Sequence, residues 1–141
     1  MEREFIQYTE AIALKELGFD EKCLGYYIKN SSLWCNWLDV KFNDDPSNDK
    51  EDFVADAPLK SQAFRWFREK YKLASAILPF QDIEDRTGLC YYYSIVDLDE
   101  YKDEDILCNE SNLGASDVNF SSHPEAELAC LKKLIEIVKK K

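Results

Sequence analysis

The spacing of apolar positions changes along the chain, and each change marks an element. In the last stretch, "SSHPEAELACLKKLIEIVKKK", Leu128, Leu131, Ile135 and Val138 recur at helical spacing, and Leu134 widens the stripe. Ser122 and Glu125 form an S-x-x-E capping box with Pro124 in the first turn, while Lys139, Lys140 and Lys141 sit at the negative end of the helix dipole. A terminal helix is therefore predicted, its apolar face closing the protein's own core. Another helical stripe, Ala63, Phe64, Phe67 and Tyr71, runs through "APLKSQAFRWFREKYKL", entered near Pro58, and leaves Trp66 off the main face and partly exposed. A shorter helix is expected over "TEAIALKELGF", with Thr9 as N-cap, Ile12, Ala13, Leu14 and Leu17 on its apolar side, and Gly18–Phe19 as a Schellman stop.

Between the helices the pattern shifts toward β structure. "EFIQY" reads as a short first strand. In "CLGYYIKNSSLWCNWLDVKF" two runs rich in aromatic and branched residues flank Asn30-Ser31-Ser32, a polar turn, and predict a hairpin. "LASAILPF" and "GLCYYYSIVDL" predict a second antiparallel hairpin across "QDIEDRTG". Adjacent Tyr91, Tyr92 and Tyr93 cannot all point inward on a strand. "NDDPSNDKEDFVAD" reads as a loop and "DEYKDEDILCNESNLGASDVNF" as a long irregular segment. The resulting order, (β)αββαββα, predicts one α+β domain over residues 1–141, with three helices packed on an antiparallel sheet of about four strands.

Charge adds a second layer. The chain has 141 residues and a formal net charge of −10. Loop 43–56 holds six acids against one lysine, and loop 97–110 holds seven against one. The two loops together exceed the charge of the whole chain, so the remainder is close to neutral. Such a balance disfavours direct binding to nucleic acid or to anionic membranes and steers toward basic partners. No stretch is long and apolar enough to span a membrane, and "MEREFIQYTE" has no apolar leader core. Five widely spaced cysteines without a CxxC pair predict free thiols in a reducing cytoplasm.

Catalytic signatures are weak. His123 is the one imidazole, and it falls at the start of the last helix, where a solvent-facing role is expected over that of a base. No GxSxG, HExxH, P-loop or GxGxxG occurs. "DLDEYKDED" and "DDPSNDKED" lack the EF-hand's glycine and terminal glutamate, so no metal site and no cofactor are expected.

Three stretches, "EAIALKELGFDEKCLGYY", "SQAFRWFREKYKL" and "EAELACLKKLIEIVKKK", resemble a family of small uncharacterised proteins encoded by phages and prophages of gut bacteria. Those proteins show an "EAxALKELGFDEPC" start, an "APTYSQAFRWFREKYGL" middle and an "EEAELACLKKLIEIVK" end. The match covers about 50 of the 141 residues. The chain departs from the family pattern at Lys22, where Pro is frequent, at Leu59-Lys60, where Thr-Tyr is common, and at Lys72, where Gly is usual. The resemblance implies a mobile-element origin and an intracellular protein, and it transfers no catalytic residue.

These readings converge on a non-enzymatic accessory protein that binds a host protein with a basic surface. The expected acidic contacts are Asp44, Asp45, Asp49, Glu51 and Asp52 in one loop and Asp99, Glu100, Asp103, Glu104 and Asp105 in the other. Trp34, Trp66 and Tyr92 are the expected aromatic contacts. The alternative is a small-ligand binder, for example of a nucleotide signal, with an aromatic-lined pocket. An uncovered sheet edge or face also leaves a homodimer open.

Overall fold

The computed structural model describes residues 2–35, 52–81, 88–99, 112–115 and 120–141. Its elements are a 3-10 turn (Glu2–Glu4), α1 (Tyr8–Glu16), β1 (Gly25–Ile28), β2 (Leu33–Cys35), β3 (Phe53–Ala57), α2 (Lys60–Tyr71), β4 (Leu73–Gln81), β5 (Leu89–Asp97), β6 (Asn112–Ala115) and α3 (His123–Lys140). The class is α+β with three helices and antiparallel pairing, as the hydrophobic pattern predicts. Both expected hairpins form, and each gains a third strand: one sheet has the order β2-β1-β3 and the other β4-β5-β6. The chain divides into two compact units, Met1–Trp66 and Phe67–Lys141, with the division inside α2.

In the first unit, α1 starts one residue before the expected cap. Gln7 occupies the N-cap position, and its side chain makes no capping hydrogen bond. The helix stop agrees with expectation. Gly18 takes φ 86°, its N–H donates to the Lys15 carbonyl, and the Phe19 N–H donates to the Leu14 carbonyl. This is the double bond pattern of a Schellman motif. The buried face is rotated from the one expected: Glu10, Ala11 and Leu14 are buried, while Ile12 and Ala13 are half-buried. α1 lies against β3, whose Ala55 and Ala57 are fully buried.

The predicted first strand over "EFIQY" reduces to one bridge, Phe5 to Leu59, after the 3-10 turn. β1 and β2 pair through Gly25–Cys35, Tyr26–Trp34 and Tyr27–Leu33. Their turn is closed by the Asn30 side-chain carbonyl, which accepts from the Ser32 N–H at 3.1 Å, and Ser31 sits at φ 63°. That αL residue next to an Asx-type bond is the geometry a polar turn favours. Gly25 has no alternative at its position. A Cβ there would lie 3.0 Å from the Phe5 ring and 3.1 Å from the Trp34 carbonyl oxygen.

β3 replaces part of the expected loop 43–56. Its sequence, Phe-Val-Ala-Asp-Ala, escapes a hydrophobicity reading because alanines fill the buried positions and Asp56 interrupts the run. Asp56 therefore stands on a strand. In α2 the buried arc is Ala63, Trp66 and Phe67, with Phe64 and Tyr71 only half-buried. Trp66 is 5% exposed and meets Phe19 edge-on at 5.3 Å, which corrects its expected exposure.

In the second unit, β4 and β5 pair over nine residues each, from Leu73–Asp97 to Gln81–Leu89. β6, inside the segment expected to be irregular, pairs with β5 at Ser94–Ala115 and Ile95–Gly114. α3 packs on β5 and β4. Ala126, Cys130, Leu131, Leu134, Ile135 and Val138 are buried along it, so the terminal helix does cover a sheet of its own unit. Its N-terminus is capped by the Ser122 hydroxyl, which accepts from the Glu125 N–H at 3.4 Å. The Glu125 carboxylate is bonded by the Ser121 hydroxyl at 2.8 Å.

Three contacts fix which sheet face α3 covers. The His123 ring stands edge-on to Tyr91 at 5.7 Å, Ser75 is hydrogen-bonded to Cys130, and Lys141 reaches Asp97 at 3.3 Å. Tyr91, Ile95 and Asp97 alternate on one side of β5, and Ser75 is the partner of Ile95, so all share that face. Tyr93 belongs to it too and stacks on Phe120 at 6.2 Å. Tyr92 points to the opposite face. Asp97, assigned by sequence to an acidic loop, is instead a buried strand terminus clamped by the last residue of the chain.

Candidate partner-binding face

Register decides which side chains of the first sheet act together. Tyr26, in the central strand, is opposite Trp34 on one side and opposite Asp56 on the other. Directly opposed residues of antiparallel strands share a face. Trp34, Tyr26 and Asp56 thus form one row across three strands, with neighbours about 5 Å apart. Trp34, on the edge strand β2, is 55% exposed, and Tyr26 and Asp56 are half-buried. The alternate positions, Gly25, Tyr27, Ala55 and Ala57, are buried. The Tyr27 hydroxyl donates to the Ile6 carbonyl at 2.8 Å, anchoring that side.

The row continues into a second aromatic group. The Phe53 ring lies 6.4 Å from that of Tyr26. The Lys15 ammonium sits 5.1 Å from the Phe53 centroid and donates to the Val54 carbonyl at 2.7 Å. Ala11, Lys15, Phe19, Asp20, Phe53 and Asp56 line a depression of about 160 Å³. Ligand clefts usually measure about 300–1,000 Å³ and enclose most of their occupant, so this one is small for a nucleotide. A second hollow, at the hairpin turn, is lined by Tyr27, Ser31, Ser32 and Leu33 and opens broadly to solvent.

The residues expected to make contacts fare unequally. Asp44, Asp45, Asp49, Glu51, Glu100, Asp103, Glu104 and Asp105 lie outside the described residues. Asp52 is exposed and pairs with Lys29 at 3.4 Å. Asp99 is exposed in the turn after β5, its N–H donating to the Asp97 carboxylate at 3.0 Å. Trp34 is exposed as expected, Tyr92 is half-buried, and Trp66 is withdrawn into the first unit. The structure brings Trp34 together with Tyr26 and Asp56, two residues that composition alone does not single out. The hairpin turn and the alternation of "GYYI" carried the signal for Tyr26. Asp56 required the third strand.

Two side chains with reactive groups can be placed. His123 is exposed, with its ring against Tyr91. Burial pushes the Cys130 thiol up to about 12 despite its hydrogen bond with Ser75, so it stays protonated and a poor nucleophile at neutral pH. Among the described residues no three His, Cys, Asp or Glu side chains are grouped to hold a metal ion, and no helix is long and apolar enough to cross a membrane. No family model, no curated protein and no solved structure matches this chain.

Proposed function

We propose that this chain is a non-enzymatic accessory protein of a phage or mobile element, acting in the host cytoplasm by non-covalent binding to a host protein with a basic surface. The observation that carries this reading is the Trp34–Tyr26–Asp56 row, where an exposed indole, a phenol and a carboxylate share one sheet face. Rings of this kind make strong contact anchors because they bury much area at little entropic cost. A carboxylate beside them selects for positive charge. The net charge of −10 would accelerate encounter with a basic partner and make the association salt-sensitive.

The test is capture of basic host proteins on immobilised protein at low and high ionic strength, with Trp34→Ala in parallel. Proteins retained at low salt, released at high salt and lost on the variant support the reading. Retention unchanged by the variant removes the row from it. Thermal stabilisation by one nucleotide in a small-molecule panel, without any protein captured, would favour the small-ligand alternative instead.

A further inference from the structure

Resting on that reading, we infer that the Trp34–Tyr26–Asp56 row is a guanidinium site, which takes an arginine side chain of the partner protein rather than a lysine. The row has two π faces and one carboxylate in sequence across the sheet, with the carboxylate at the end opposite the exposed indole. A guanidinium is planar, stacks on aromatic faces, and forms a two-pronged pair with a carboxylate. An ammonium is a compact, strongly hydrated point charge that gains much less from stacking. With strands about 5 Å apart, a group lying over Tyr26 is within reach of both neighbours, so stacking and carboxylate pairing are satisfied together.

The fold contains its own version of the contact. Lys15 lies over the ring of Phe53, and both line the same depression as Asp56. This part of the surface therefore already holds a cation against an aromatic face. Asp56 takes part in interactions within the fold. A carboxylate offers about four acceptor positions in all, so internal contacts and an arginine pair can share it. Anionic ligands are disfavoured at the same place because Asp56, Asp20 and the net charge of −10 outweigh the single Lys15 ammonium. A protein-borne arginine is favoured over the free amino acid. The face is open and shallow, so a small molecule would gain only one stacking contact, whereas a partner surface adds area around it.

The experiment compares hexa-arginine and hexa-lysine peptides, equal in length and charge, by fluorescence anisotropy. General attraction to an acidic protein predicts equal affinity. The guanidinium site predicts hexa-arginine tighter by about fivefold, a typical size for one cation–π contact. That preference should vanish in Trp34→Ala, survive in part in Trp34→Phe, and shrink in Asp56→Asn, while melting curves show all three folded. Equal affinity of the two peptides overturns the inference and leaves the basic-partner reading standing. A preference untouched by Trp34→Ala also overturns it, by placing the site elsewhere. Binding of neither peptide, together with no captured basic protein, sinks the reading itself. Competition by free L-arginine at the same residue concentration would show a small-molecule site and overturn the protein-borne assignment.

Discussion

The two units solve the same problem, covering a three-stranded antiparallel sheet, with unequal means. In the second unit an 18-residue helix with a bonded N-cap lies along two nine-residue strands. That helix is tied at one end through His123 and Tyr91 and at the other through Lys141 and Asp97. The first unit has strands of four, three and five residues and a nine-residue helix without a side-chain cap. One face of its sheet carries the buried Gly25, Tyr27, Ala55 and Ala57, and the other carries an indole, a phenol and a carboxylate. Long, well-covered elements bury more apolar area and contribute more stability. Short elements bury less, and on this face Tyr26 and Asp56 are only half-buried and Trp34 is exposed. The two units thus differ in how much apolar area their helices and strands bury, and in what the open sheet face displays.

The sharpest way to break that contrast is at the centre of α3. Leu134 is fully buried, and Leu134→Ala should lower stability by about 3 kcal/mol, the usual cost of a buried leucine truncation. Urea denaturation measures it, and a loss below about 1 kcal/mol would show that the helix is docked loosely. In the first unit the corresponding weak point is space rather than volume. Gly25→Ala should destabilise by about 2 kcal/mol, because the added methyl meets the Trp34 backbone oxygen at 3.1 Å, which a side-chain rotation cannot relieve.

Capping gives a smaller and more direct comparison. Ser122→Ala should cost about 1 kcal/mol, whereas Gln7→Ala should change stability by less than about 0.5 kcal/mol, since only the serine side chain bonds its helix. Equal effects at the two positions would remove the distinction between the helices. The smallest effect near neutral pH concerns Cys130. Its folded-state pKa of about 12 lies above the ordinary value of 9.0. Below pH 9 both states keep the proton and the contribution is intact. As pH rises from 9.0 toward 12 the unfolded thiol ionises first, so stability falls. Urea midpoints from pH 8 to about 10.5 should therefore decline more steeply in the wild type than in Cys130→Ala.

Legibility differed by element for physical reasons. α3 was readable in every respect because periodicity, cap, proline and terminal charge agree within "SSHPEAELACLKKLIEIVKKK". The β4–β5 hairpin was equally plain, since its strands are long and rich in branched and aromatic residues. β3 and β6 were not. Alanine and glycine fill their positions, so neither shows the alternation that announces a strand. The α1 start does not follow its local signal: Thr9 has the chemistry of a cap, yet the helix begins at Tyr8 without a side-chain cap. Trp66 departs from the pattern because the apolar stripe Ala63, Phe64, Phe67 and Tyr71 excludes it, while packing selects the neighbouring arc through Ala63, Trp66 and Phe67.

What the chain determines locally is the set of strong elements: three helices, two hairpins and an α+β class. Those follow from side-chain periodicity, caps and turn residues, which act over a few positions. Only the tertiary structure decided that the strands form two sheets, that Asp97 is buried against Lys141, and that Asp56 stands beside Tyr26 and Trp34. Those outcomes depend on which edge a distant strand joins and in what register. A shift of one residue would carry Asp56 to the buried side. Pairing energy between residues far apart in sequence selects that register, and no local pattern encodes it.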